Sequence, residues 1–281
     1  MASSIAALGA VTLSLTAPAA HATAPLRYAA LGDSYSAASG VLPVDVTDPL
    51  CLRSTANYPH LVAAGTGAVL TDVSCGAAQT KDFTESQYPG VPPQTDALGP
   101  DTGLVTLTIG GNDNGTFINA VLACGTAGVL SGGRGSPCKD HNGSSFDDQI
   151  DAKTYPALKA ALRSVRAAAP DADVAVLGYP WIVPATADPS CYAKLPVAAG
   201  DVPYLRGIQA HLNAVVERAA EESGATFVDF SQVSEGHDAC APAGTRWIEP
   251  LLFGTNIVPV HPNALGESHM ARQTLSALGL G

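Results

Sequence analysis

Charge is scarce in this sequence. Only 14% of its 281 residues are Asp, Glu, Lys or Arg, and 14 basic side chains stand against 25 acidic ones for a formal net charge of -11. A disordered chain needs dense charge and low hydrophobicity, and 46% hydrophobic content excludes it. No cluster of Lys and Arg occurs anywhere, so neither nucleic acid nor an anionic membrane would be drawn electrostatically to this protein. No C-x-x-C pair occurs, which removes the usual zinc pattern, and no metal or other cofactor is called for. Internal repeats and long polar linkers are also lacking, so a single domain fits the length better than two.

The first charged residue is Arg27. Ahead of it, Ile5 to Ala20 is largely apolar and ends in Ala20-His21-Ala22, an A-x-A-like cleavage pattern, although the basic residues usual at the start of an export signal are missing. We read residues 1-22 as a signal peptide, residues 23-281 as the mature domain, and the protein as secreted into the extracellular space. Its Ser, Thr and Pro interruptions leave the segment too short for stable membrane insertion.

Export gives meaning to the six cysteines, Cys51, Cys75, Cys124, Cys138, Cys191 and Cys240. An even number after a leader reads as disulfides. Six cysteines allow 15 connectivities. Neighbours in sequence fall after successive elements, which favours Cys51-Cys75, Cys124-Cys138 and Cys191-Cys240. Each closed loop would contribute roughly 3 kcal/mol by restricting the unfolded chain.

Five short apolar runs, Tyr28-Leu31, Ala68-Val73, Leu104-Ile109, Val174-Leu177 and Thr226-Asp229, are too continuous for one-sided antiparallel strands and read as buried parallel strands. Helical patterns alternate with them at Tyr58-Gly65, Asn114-Ala123, Phe146-Ala169, Tyr204-Ser223 and Pro262-Leu278. The glycine-rich stretch Gly125-Ser145 reads as a loop, with the Cys124-Cys138 bridge tethering it. Strict alternation predicts an α/β fold with a central parallel sheet of about five strands and helices on both faces, and a ligand site outside the carboxyl ends of the strands.

Three strand ends carry small or polar residues suited to such a site. Gly32-Asp33-Ser34-Tyr35 follows the first strand and places a hydroxyl on a strand-to-helix turn. Ser74-Cys75-Gly76-Ala77 follows the second, where a glycine amide can approach a ligand closely, and Gly110-Gly111-Asn112-Asp113 follows the third with an amide side chain. Taken singly, each is as well explained by a capped turn. A nucleophilic serine needs a base. Of the histidines in the mature chain, His60, His141, His211, His237, His261 and His269, only His261 sits on the loop that precedes the final helix, at the same sheet edge as Ser34. His269 falls on the helix itself and is expected to face solvent.

These blocks, together with His261-Pro262-Asn263, resemble in order and spacing the SGNH (GDSL-type) hydrolases, from Tyr28 to Gly266. The run Gly32 to Ala37, the six cysteines and Trp247-Ile248-Glu249-Pro250 resemble in particular the secreted Streptomyces-type lipases and esterases of that family. The resemblance implies a flavodoxin-like three-layer α/β/α sandwich with three disulfides, Ser34 as nucleophile, His261 as general base, and an oxyanion hole formed by the amides of Ser34 and Gly76 and the side chain of Asn112. The sequence departs from the family in one respect. Where many members carry an Asp three residues before the histidine, this chain has Val258, followed by Pro259 and Val260. A Ser-His dyad oriented by the backbone carbonyl of Val258 or Pro259 is therefore expected, with Glu249 and Asp229 as the carboxylate alternatives.

The leading functional reading is a secreted serine carboxylester hydrolase acting on lipid esters such as triacylglycerols, monomeric, with a lipid or small ester as its only partner. Val41, Leu42, Phe117, Tyr179, Trp181, Ile182, Leu251 and Phe253 are candidates for an acyl groove. A carbohydrate O-acetyl esterase and a non-catalytic glycan- or surface-binding domain on the same fold are the alternatives.

Overall fold

A computed structural model describes residue 1 and residues 24-281; the expected signal segment lies outside the described residues. Strands β1 (Arg27-Gly32), β2 (Val69-Asp72), β3 (Leu104-Thr108), β4 (Asp173-Leu177) and β5 (Thr226-Val228) form one wholly parallel sheet in the order β2-β1-β3-β4-β5. The helices are α1 (Ser34-Ala37), α2 (Tyr58-Thr66), α3 (Thr116-Ser131), α4 (Pro137-Asn142), α5 (Ser145-Gln149), α6 (Tyr155-Ala168), α7 (Val202-Glu222) and α8 (Ala264-Ala277). Helix α2 packs on α8 and α6 on α7, giving a layer on each side of the sheet and the three-layer α/β/α sandwich.

The apolar runs become strands for the expected reason. Every residue of β3 is buried, as are all but the first of β1 and β4, because helices cover both faces. The second run behaves differently: β2 is an edge strand whose residues alternate between exposed and half-buried. Helix α7 shows why a long amphipathic segment adds so much. Leu205, Ile208, Leu212, Val215, Val216 and Ala219 recur at helical spacing and are all buried, and each large aliphatic side chain contributes roughly 1.5-3 kcal/mol.

Two expectations fail. The stretch Gly125-Ser145 is not a loop, because α3 runs on to Ser131 and α4 follows. Gly128 is in α3 because the helix passes directly over the 196-198 segment, where a Cβ would come within 2.0 Å of the Pro196 carbonyl oxygen. The long helix expected over Phe146-Ala169 is instead α5, a π-helical turn over Ile150-Thr154, and α6, which restarts with Pro156 in its first turn. The structure joins Cys51 to Cys75, Cys124 to Cys138 and Cys191 to Cys240. No helix among the described residues is long and apolar enough to cross a membrane.

Candidate active site

Three strand ends and the last loop meet above the carboxyl edge of the sheet. Gly32 closes β1 at φ +117°, and a Cβ there would lie 2.4 Å from the Thr108 carbonyl oxygen, so only glycine lets β1 and β3 approach this closely before the turn. Asp33 caps α1, its carboxylate accepting from the Tyr35 amide at 3.0 Å, and Ser34 is the first helical residue. The amide of Ser34 is one of those left without an intrahelical partner at a helix start.

His261 completes the arrangement. Its Nε2 stands 2.7 Å from Ser34 Oγ, and its Nδ1 stands 2.8 Å from the Pro259 carbonyl oxygen. A carbonyl can only accept, so Nδ1 carries the proton and Nε2 presents a lone pair to the serine hydroxyl. Burial holds the imidazole below its usual pKa, opposed by the Pro259 hydrogen bond. Val258 makes no such contact, and the two carboxylate alternatives are engaged elsewhere. Glu249 is buried against Arg246, Thr255 and Asn263, and these hydrogen bonds hold its carboxyl below the ordinary range despite burial. Asp229 accepts from Ser231.

The loop that carries His261 is clamped from both sides. Glu249 N-H donates to the His261 carbonyl at 2.9 Å, Val260 N-H returns to the Glu249 carbonyl at 3.0 Å, and Asn263 N-H reaches the Trp247 carbonyl at 2.8 Å. The Tyr35 hydroxyl donates to the Val260 carbonyl at 2.8 Å. Between these anchors Val260 sits at φ +59°, a strained conformation for a β-branched residue that only a well-determined loop sustains. Trp247-Ile248-Glu249-Pro250 is thus the strap that positions the histidine.

Asn112 lines one cavity together with Ser34 and His261, and its Nδ2 donates one hydrogen to the Ala78 carbonyl at 3.1 Å. An amide nitrogen has two hydrogens, so one remains for a ligand. Gly76 does not fit its expected role. It is buried, and its N-H donates to the Cys51 carbonyl at 2.7 Å, leaving no proton to offer. The next residue, Ala77, is exposed, takes φ +63°, and adjoins the carbonyl that anchors Asn112.

Sequence reasoning missed the polar scaffold beneath the site. Asp33 also accepts from Thr108 Oγ1 at 2.7 Å and from the Tyr179 hydroxyl at 2.5 Å, and that hydroxyl accepts from Gly111 N-H at 2.9 Å. Burial raises Asp33 to about 6 against the effect of these hydrogen bonds. Gln94 grips Gly32 through both N-H and carbonyl, at 2.7 and 3.0 Å. Asp113 takes both donors of Thr80 and is raised to about 6 by burial, tying the Asn112 loop to the segment after β2. Only the Gly-Asp-Ser and Gly-Gly-Asn-Asp runs hinted at this, as polar residues abutting apolar strands.

A cavity of about 200 Å³ opens over Ser34, Asn112 and His261. Of the expected groove residues, Phe117, Tyr179, Ile182 and Leu251 line it, joined by Ile118, Val121 and Leu122 from α3. The others do not. Val41 is buried, Trp181 donates from its indole nitrogen to the Ser231 carbonyl, and Leu42 and Phe253 lie exposed outside the cavity. A larger cavity of about 330 Å³ beside Cys191 and Cys240 contains neither a serine nor a histidine. His269 does not simply face solvent, because its ring stacks on Trp247 at 4.1 Å.

Residues 30-268 match the model of the GDSL-like lipase/acylhydrolase family. The whole chain aligns, at 71% identity over 285 residues, with 97% of Lipase 2 from Streptomyces coelicolor. Among solved structures, phospholipase A1 from Streptomyces albidoflavus is similar with a TM-score of 0.75 and 29% identity, covering 90% of this chain and 100% of that one. The extracellular lipase from Streptomyces rimosus is similar with a TM-score of 0.74 and 28% identity, over 90% of this chain and 99% of that one. With the family match spanning nearly all of the described residues, the chain belongs to the GDSL-like lipase/acylhydrolase family and so to the carboxylic ester hydrolases.

Proposed function

We propose that the protein is a secreted lipase that cleaves acyl esters of lipids such as triacylglycerols through an acyl-serine intermediate, using Ser34 and His261 as a dyad. The observation that carries this reading is the hydrogen-bonded chain from Ser34 Oγ through the imidazole to the Pro259 carbonyl, at 2.7 and 2.8 Å, on the floor of an apolar cavity. His261 Nε2 takes the serine proton as Oγ attacks the ester carbonyl, and returns it to the departing alcohol. Water then repeats the sequence on the acyl-serine. Charge on the carbonyl oxygen is met by the amides of Ser34 and Ala77 and by the second hydrogen of Asn112 Nδ2. A carbonyl orienter fixes the imidazole tautomer without adding ionic stabilisation, so the wrong-tautomer fault of a triad Asp→Asn change does not arise. The three disulfides fit an oxidising compartment and support secretion.

Because burial lowers its pKa, His261 remains a neutral base to more acidic pH than an ordinary histidine. The acid limb of the kcat/KM profile on a soluble ester should have its midpoint below the usual 6.5. A midpoint above that value would mean that His261 is not the base.

The substrate class is tested with p-nitrophenyl esters from acetate to palmitate, run beside triacylglycerol and acetylated xylan. An apolar lining contributes up to about 0.8 kcal/mol per buried methylene, so kcat/KM should rise from acetate to medium chains. A steady fall from acetate, with acetate released from xylan, would replace the lipase by a carbohydrate O-acetyl esterase.

A further inference from the structure

Two segments at the mouth of the catalytic cavity carry no charged side chain. From Asn114 to Gly133 and again from Pro250 to Gly266 there is no Asp, Glu, Lys or Arg. The two segments flank the cavity from opposite ends of the chain, the first through Ile118 and Leu122 and the second through Leu251 and Pro259. Both present apolar side chains outward. On α3, Ile118, Leu122, Thr126 and Leu130 recur every fourth residue and are exposed, a stripe of roughly 18 Å at 1.5 Å per residue. Leu122 lies at its centre, lining both the catalytic cavity and an open groove that continues to Leu130. On the second segment, Leu252, Phe253 and Ile257 are exposed between the two cavity-lining residues.

Phe253 sets this surface apart from incidental apolar exposure. Its side chain is 81% exposed while its backbone sits at φ +62°, a conformation unfavourable to bulky residues and tolerated by Asn or Asp. Fold stability gains nothing from a strained phenylalanine in water. An exposed aromatic held in a strained loop, two residues from the cavity-lining Leu251, is suited to a surface that is itself apolar and uncharged.

We propose that the charge-free rim formed by α3 and the 250-259 loop is a docking surface for the interface of an aggregated neutral lipid, with Phe253 and Leu130 entering the lipid at its two ends. The proposal rests on the lipase reading and extends it. An emulsified triacylglycerol has no charge for salt bridges, so contact with it is governed by apolar area, and any charged side chain on the rim would have to be desolvated. Rim contact sets the cavity mouth against the lipid, so that an acyl ester passes from the aggregate to Ser34 without crossing water.

The test separates adsorption from chemistry. In the Ser34→Ala background, partition of the protein onto a triolein emulsion is measured with and without Phe253→Asn and Leu130→Gln. The paired substitutions should weaken partition by about tenfold or more, since they remove two inserted apolar groups. With Ser34 intact, the same pair should leave turnover of a monomeric short-chain p-nitrophenyl ester within about twofold, because neither residue lines the cavity. Phe253→Asn also relieves backbone strain, so its melting temperature should not fall. Unchanged partition would overturn the proposal, as would a wild-type dimer in sedimentation that the substitutions dissociate, because the rim would then be covered by a second copy. Substantial hydrolysis by Ser34→Ala would instead contradict the lipase mechanism, whatever the adsorption result.

Discussion

Ser34→Ala and His261→Ala should each lower kcat on a soluble ester by about 10⁵-fold or more, and the double variant should fall no further. In the proposed mechanism the two side chains share one proton transfer across a 2.7 Å hydrogen bond, so removing either removes the whole step. What survives in each variant is binding and oxyanion stabilisation without an activated nucleophile, a residual of about 10³ to 10⁴ over water. Both variants should fold normally. Ser34 is at the first position of α1, where Asp33 supplies the cap, and the His261 backbone remains held by Glu249. Steady-state kinetics with an active-site titration measures the effect. A tenth of the wild-type rate in either variant, or effects of the two that multiply, would show that they do not act as a unit.

Asn112→Ala should reduce kcat by about 10²-10³ while leaving KM nearly unchanged. One hydrogen of its Nδ2 is anchored on the Ala78 carbonyl, which fixes the other toward the cavity before substrate arrives. Such a donor does little for a neutral ester carbonyl and much for the charged oxygen that follows, so its removal belongs to the transition state. An effect mainly on KM would make Asn112 a substrate-binding residue.

Parallel strands are legible because burial on both faces leaves an unbroken apolar run, as in Val174-Leu177. The same logic is less informative for β2, whose apolar residues sit on a half-exposed edge. Helix α3 was cut short because glycine lowers helix propensity, and sequence alone does not show that Gly128 is needed for contact with Pro196. At the site, Ser34 and His261 meet at the strand ends that the motif spacing indicates. Gly76 does not face the site with a free amide, because its N-H is taken by the Cys51 carbonyl while Ala77 takes the left-handed turn. The sequence does not show the hydrogen bonds that Tyr179 and Gln94 make beneath the site, nor the backbone clamp from Glu249. Their contacts join residues far apart in the chain, 146 positions for Tyr179 and Asp33, and no local pattern encodes such a pairing.

Activation of one serine by one histidine is tested most directly by covalent trapping. The intact protein is treated with a fluorophosphonate, which loses fluoride as an activated hydroxyl oxygen bonds to phosphorus, and the adduct is located by peptide mass mapping. One adduct per chain is expected, on Ser34, at a rate that collapses in His261→Ala. An adduct on another serine, no adduct, or labelling of His261→Ala at the wild-type rate would contradict that activation.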